Sequence, residues 1–250
     1  MKSGAEPRTS PVPRPSGSAL FDRVSYRLLE TSAEKDLVYL MRYRAYLNGG
    51  LISPSETGRI VDSYDDAPNA WIFGIYLDGI LCSSIRLHVL TPESRMSYTT
   101  QLFGDVLDGR LDRGEVFIDP ARFAADPEKA KQFPELPYMT LRLAYLACDH
   151  FNADTGLAMV RTDHQAFYHR VFLHDTISEP RAFPGWHSRK VVLMASDFRK
   201  LRERVLARFP IMRSTVNERN ALFHRNSGQL APVVKLRESH SVQAAISPTA

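Results

Sequence analysis

At 250 residues, 44% of them hydrophobic, the chain can bury one full core, and at roughly 100–200 residues per domain this argues for one domain plus tails. The formal charge of +4 is far from the dense basic stripe of a nucleic-acid binder. No run approaches the roughly 18 apolar residues of a membrane span, and the charged, Pro-rich start lacks a signal peptide's apolar core, so the sequence reads as cytoplasmic.

Residues 1–20 hold Pro7, Pro11, Pro13 and Pro15 among Ser, Gly and Arg and read as a disordered leader. Residues 21–210 read as the folded domain, and 211–250 as a C-terminal helical segment with a flexible tail. Val24–Glu30 alternates like a strand, and Thr31 with Glu34 forms a capping box for a helix over about Ser32–Leu47, ended by Asn48-Gly49-Gly50. Ala70–Leu77 and Ile80–Leu90 are β-rich and joined by Asp78-Gly79, the pair a type I′ hairpin prefers. Glu115–Ile118 reads as a strand, Tyr138–Asn152 as a long helix led by Pro137, and Leu157–Thr162 as a buried strand. Asp163 is placed to cap a helix reaching about His174. Lys190–Ala195 is a further strand, and Asp197 caps an amphipathic helix that runs to Phe209. This order predicts an α/β fold with a mixed central sheet flanked by helices.

Several residues carry candidate chemistry. On the first helix Leu37, Leu40, Met41, Arg44 and Ala45 fall on one side, which puts Arg44 in the apolar stripe and points Arg42 the other way. An arginine aimed at a core needs a carboxylate, and Asp62-Ser63-Tyr64-Asp65-Asp66 is the nearest supply; Arg44 is either a guanidinium that holds a substrate-site carboxylate in place or, more plainly, a structural ion pair or a snorkelling side chain. Arg86 lies on the more polar face of its strand with Ser84 and His88; if that face lines a cleft it can pair with Asp65 or with a substrate carboxylate, and if it faces bulk water it is ordinary surface. Glu115, at the start of its strand, is either a surface acid or a proton acceptor for an ammonium nucleophile, directly or through water. Tyr168 stands among aromatics, where a hydrogen-bonded core hydroxyl is the default.

Other constellations point away from common chemistries. His164, His169 and His174 recur every five residues and diverge around a helix, which argues against a shared metal. Cys82 and Cys148 sit in apolar segments without partners at metal spacing, giving neither a disulfide framework nor a zinc site. No nucleophile elbow, P-loop or dinucleotide fingerprint is present.

Leu40-Met41-Arg42-Tyr43-Arg44-Ala45-Tyr46, then Asp62-Ser63-Tyr64-Asp65, then Arg86-Leu87-His88-Val89-Leu90-Thr91 resembles the N-acyl amino acid synthases and the related acyl-homoserine-lactone autoinducer synthases. Phe167-Tyr168 with Val171-Phe172, followed by Val191–Ala195, resembles the closing half of the same GNAT-like fold, so the likeness covers about residues 24–198. It implies a bacterial N-acyltransferase in which Arg44, Asp62, Asp65, Arg86 and Glu115 border the site and Tyr168 donates a proton to the leaving thiolate. Two features depart from the autoinducer synthases. They place an arginine three residues after the strand glutamate, where this chain has Ile118 and reaches Arg122-Phe123 only later; they also carry a tryptophan where this chain has Asn48-Gly49-Gly50-Leu51.

The resemblance further implies an acyl-phosphopantetheine donor carried by acyl carrier protein, a small amino acid acceptor and no tightly bound cofactor or metal. A coenzyme-A pyrophosphate is normally wrapped by a Gly-rich loop at a helix N-terminus, and Glu115 through Thr155 contains no glycine. Acidic carrier proteins need a basic docking patch, for which Arg199, Lys200 and Arg202 are the candidates. An acyl-homoserine-lactone synthase, an ornithine-lipid-type acyltransferase and a catalytically silent acyl-binding domain are the competing readings.

Overall fold

Among the described residues a nine-stranded mixed sheet organises the molecule, in the order β6-β8-β5-β4-β3-β2-β1-β9 with β7 also on β8. The computed structural model describes residues 20–187, 189–225 and 233–235; the expected leader, Leu20 apart, and the tail beyond 235 lie outside them. The strands are β1 (Val24–Leu28), β2 (Ala70–Leu77), β3 (Ile80–Leu90), β4 (Phe117–Ala125), β5 (Thr155–Arg161), β6 (Asp175–Thr176), β7 (Arg181–Ala182), β8 (Lys190–Asp197) and β9 (Val234–Lys235). The helices are α1 (Ser32–Asn48), α2 (Tyr98–Leu111), α3 (Pro127–Gln132), α4 (Leu136–His150), α5 (Gln165–Phe172), α6 (Phe198–Arg208) and α7 (Val216–Leu222).

Local chemistry explains the elements that position the site. Thr31 and Glu34 complete a reciprocal capping box at the start of α1. Asp78 (φ 50°) and Gly79 (φ 79°) take the left-handed conformations that let β2 turn tightly into β3. β3 is buried along almost its whole length because both sheet faces are covered. On one face α4 supplies Leu136, Met139, Leu143 and Ala147 to a core shared with Phe73, Ile85 and Leu87. On the other, Phe103, Leu107 and Leu111 of α2 pack with Leu90, Phe117, Leu157 and Leu193.

Strands β4 and β5 run parallel and pair only at Phe117↔Thr155 and Ile118↔Gly156. Beyond that point they part, and the sheet opens. Pro120 falls in this stretch, where β4 has lost its second neighbour and a missing N–H is tolerated.

Among the expected elements, the structure differs at the start of β4 and at the cap of α5. Glu115 precedes β4, which begins at Phe117. Asp163 does not cap α5; it binds Arg161 (Nε to Oδ1, 2.9 Å) within a short 3₁₀ turn, and α5 starts at Gln165. The segment after residue 210 joins the main core through Leu222 and Phe223. It is clamped there by the buried Arg142 of α4, which donates to both Glu218 oxygens (2.6 and 3.0 Å) and to the Ile211 and Arg213 carbonyls (2.6 Å each).

Candidate active site

A cleft of about 350 Å³ occupies the gap between β4 and β5. Arg86, Tyr46, Tyr98, Arg122 and Trp186 line one end, and Leu141, Phe167 and Tyr168 the other. It therefore passes through the sheet, joining the α1–α2 side to the α4–α5 side.

On the first side, α1 buries Val38, Met41, Arg42 and Tyr46, spaced as one helical stripe. Arg42 has no solvent exposure, whereas Arg44 is exposed. This corrects the expected helix face: Leu37, counted into the stripe, is 55% exposed, and the β-branched Val38 is the residue that packs inward. The carboxylate pairing expected of Arg44 belongs to Arg42, whose Nη1 lies 2.7 Å from Asp65 Oδ1.

Asp62 and Asp65 are held by the 3₁₀ turn Ser63–Asp66. Asp62 accepts from the Tyr64 N–H (3.0 Å) while Asp65 Oδ2 accepts from the Asp62 N–H (3.1 Å). Arg86 reaches both, donating from Nη1 to Asp62 Oδ1 (2.5 Å) and Asp65 Oδ1 (2.8 Å). Arg122 donates from Nε (2.8 Å) and Nη2 (2.5 Å) to Asp62 Oδ2. It does so from a left-handed backbone (φ 52°) at an irregularity in the β3–β4 register, which turns its side chain back toward the turn. Burial alone would raise the Asp62 pKa, but Arg86 and Arg122 overcome it and hold the carboxyl well below its usual range. Three guanidinium groups thus share two carboxylates at the cleft wall, with Asp119, whose pKa Arg86 helps to lower, as a third acid close by.

Beside this network lies a second buried group. Asp119 accepts from Thr99 Oγ1 (2.8 Å), and burial pushes its pKa up to about 6 despite hydrogen bonds from Thr99 and Ser97. His88 has Nε2 3.3 Å from the Tyr64 carbonyl, and burial, reinforced by Arg86, lowers its pKa to about 3. His88 Nδ1 and Asp119 Oδ2 are 3.9 Å apart, and neither has a hydrogen-bond partner among the described residues. A neutral imidazole beside a carboxyl that titrates near neutrality can share one proton.

Tyr168 lines the cleft from the opposite side, half-buried, and burial raises its pKa, which keeps the hydroxyl protonated. Glu115 does not reach the cleft. It lies before the closed end of the β4–β5 pair, where Arg110 (Nε, 3.0 Å) and Arg113 (3.4 Å) hold it, and this corrects its expected role. Arg199, Lys200 and Arg202 are engaged by Asp154 (3.0 Å), Asp197 (2.7 Å) and Asp149 (2.7 Å). Among the described residues no group of three or more His, Cys, Asp or Glu side chains is arranged to hold a metal.

Arg42, His88 and Asp119 were not singled out from sequence. The signal for Asp119 was present: Asp119-Pro120-Ala121-Arg122 has an arginine three residues after a strand acid, the spacing sought from Glu115.

The open sheet, the cleft at the parting of its parallel strands and the charged wall beside it define a GNAT-like acyltransferase. Residues 37–197 match the family model of the N-acyl amino acid synthase FeeM, and the chain belongs to that family. Among solved structures it is similar to FeeM, an N-acyl amino acid synthase from uncultured soil microbes, at 16% identity and a TM-score of 0.60 over 75% of this chain and 99% of that one. It is also similar to the CoA-dependent acyl-homoserine lactone synthases BjaI (12% identity, TM-score 0.53, 73% and 89% covered) and MesI (13%, 0.51, 74% and 95%). At these identities the likeness speaks for the fold alone. A search of curated proteins finds no match.

Proposed function

We propose that this protein transfers a long-chain acyl group from acyl carrier protein to the amino group of an amino acid, giving an N-acyl amino acid. The observation that carries the acceptor half is the guanidinium of Arg122 on the cleft wall. An amino acid's carboxylate would pair with it directly, while Arg42, Arg86, Asp62 and Asp65 fix Arg122 in place. Asp119 receives the ammonium proton, relayed from the cleft, and the free amine attacks the thioester carbonyl. Backbone N–H groups on the parted strand edges stabilise the oxyanion. As the C–N bond forms and the C–S bond breaks, Tyr168 protonates the thiolate and recovers a proton from the amide nitrogen.

The donor half rests on the N-terminus of α4, where this fold would otherwise seat a pyrophosphate on free amides. Here the Leu136 N–H donates to Phe133 O (3.1 Å), and those of Tyr138 and Met139 to Glu135 O (3.0 and 3.2 Å). Pro137 has no N–H, and Glu135 places a carboxylate at the same end. A coenzyme-A pyrophosphate would meet spent donors and like charge; phosphopantetheine on a carrier protein needs neither. Such a partner fits a cytoplasmic enzyme, and no helix among the described residues is long and apolar enough to cross a membrane.

The test is a matrix of long-chain acyl carrier protein and acyl-coenzyme A against an amino acid mixture, ornithine and S-adenosylmethionine. Amides of proteinogenic amino acids formed from the carrier-bound donor support the reading. Turnover only with S-adenosylmethionine or ornithine, or only with acyl-coenzyme A, overturns the corresponding half.

A further inference from the structure

Behind the cleft lies a second, smaller cavity of about 30 Å³, and Pro120 and Leu141 are walls of both. Its surroundings are mostly apolar, from Ile118, Ala144, Phe172, Phe198 and Val205, and Tyr145, Ser196, Arg202 and His174 are the polar side chains among them. His174, just beyond α5, is buried in that wall, between the rings of Tyr168 and Phe172 (centroids 6.2 and 5.9 Å). Neither of its ring nitrogens meets a hydrogen-bond partner among the described residues. A polar group left so costs stability unless something else satisfies it.

The neighbourhood specifies what that something is. Burial lowers the His174 pKa to about 4, opposed weakly by the backbone of Phe172, Gly156 and Leu157. The ring is therefore neutral at physiological pH, with one N–H and one lone pair. Backbone carbonyls suit the N–H. Among the described residues no hydrogen bond reaches the lone pair, so the complementary ligand brings an O–H. The bare Cα of Gly156 borders the ring: a Cβ there would already be in van der Waals contact with His174 Nε2 (3.7 Å), Cys148 Sγ (3.7 Å) and Ser196 Oγ (3.5 Å). Ser196 supplies a second oxygen on the same wall.

We propose that His174, with Ser196, is a specificity determinant that selects acyl groups bearing a hydroxyl within the chain. This rests on the acyl-transfer reading above and names the class of its donor. Gly156 lies three residues along β5 from the cleft-lining Met159, about 10 Å at strand spacing. The hydroxyl thus belongs several methylenes into the chain, beyond the carbons next to the thioester. The unsubstituted chain can enter the same cavity, but it leaves the imidazole unsatisfied, and only the hydroxylated one completes its hydrogen bonding.

The experiment uses the full chain and a series of dodecanoyl pantetheine thioesters, one unsubstituted and the others with a hydroxyl moved stepwise along the chain. Binding is read by thermal shift and turnover by amide formation with an amino acid mixture. One position, or two adjacent ones, should bind and react roughly five- to tenfold better than the unsubstituted thioester, the scale of one net hydrogen bond. His174→Phe should abolish that preference while retaining use of the unsubstituted thioester; His174→Leu gives a second apolar variant should the phenyl ring not fit. Equal binding and turnover across the series, or a preference that survives both substitutions, overturns the proposal. If no thioester of any kind gives an amide, the acyl-transfer reading fails instead, and the thermal-shift series alone decides whether His174 reads a hydroxyl.

Discussion

Replacing Arg42 by alanine and, separately, Arg44 by alanine tests the placement on which the charged wall depends. Arg42 is fully buried and bonded to Asp65 at 2.7 Å, and removing one member of a buried ion pair typically costs about 3–5 kcal/mol because the other charge is left stranded. Two features moderate this. Asp65 keeps Arg86 at 2.8 Å and the Asp62 N–H at 3.1 Å, so it is not stranded. Among the described residues Arg42 Nε and Nη2 have no hydrogen-bond partners, and their loss relieves a desolvation cost. Against them stands the cavity left by a large side chain, so the expected loss sits near the lower bound, about 3 kcal/mol. Arg44 is exposed, and its truncation should stay within about 0.5 kcal/mol. Urea unfolding with unchanged slope for both variants is the assay. Equal midpoints, or a larger loss at Arg44, would refute the assignment of the helix face.

Other expectations follow from the same geometry. Asp119→Asn removes a carboxyl whose folded pKa is raised from 3.8 to about 6. Between those values the folded state holds a proton that the unfolded chain has released, so its contribution to stability falls as pH rises through that window, by about 3 kcal/mol in total. The variant should lose that slope in urea titrations between pH 4 and 7 and lose the ionisation near pH 6 in kcat; an unchanged pair of profiles would contradict the role. Arg122→Ala should raise the acceptor KM at least tenfold and leave the carrier-protein KM within about twofold, on the scale of one charge-assisted hydrogen bond; equal effects on both would count against it. On α6, Arg204 and Arg208 carry no ion pair among the described residues, and Arg208 lies over Phe209 (5.7 Å), which meets Tyr138 and, through it, the cleft residue Phe167. Reversing these two to Glu should raise the carrier-protein KM at low salt more than reversing Arg199, Lys200 and Arg202, whose charges are already met by Asp154, Asp197 and Asp149; the opposite ranking would place docking at the other end of the helix.

Local signals were legible where one rule dominated. The Thr31–Glu34 capping box, the Asp78-Gly79 hairpin and the Asp197 cap each rest on chemistry within a few residues, and each stands as read. Helix α2 was not legible: Gly104 and Gly109 dilute its pattern, Phe103 interrupts it with non-helical angles (φ −127°), and packing against β4 and β5 sustains it. The face of α1 was ambiguous because Met41 belongs to two candidate stripes, and only the position of Asp65 across 23 residues decides between Arg42 and Arg44. Asp62, Asp65 and Arg86 came together as their residue types suggested. Asp119 is hidden in the sequence because the acid at the strand's apparent start is Glu115. The true start is Phe117, and Asp119 lies two residues further along, on the buried face of β3 and β4 that also holds His88.

The most direct measurement of the central claim follows both halves of the transfer at once. Acyl carrier protein loaded with a long-chain acyl group is incubated with the enzyme and an ¹⁵N-labelled amino acid mixture, and the carrier and the small-molecule fraction are weighed by mass spectrometry. The account predicts that the carrier returns to its free phosphopantetheine thiol only when enzyme and amino acids are both present, with an acyl amide carrying the ¹⁵N label appearing in equal amount. A carrier that keeps its acyl group, or that loses it as free fatty acid with no labelled amide, would contradict it.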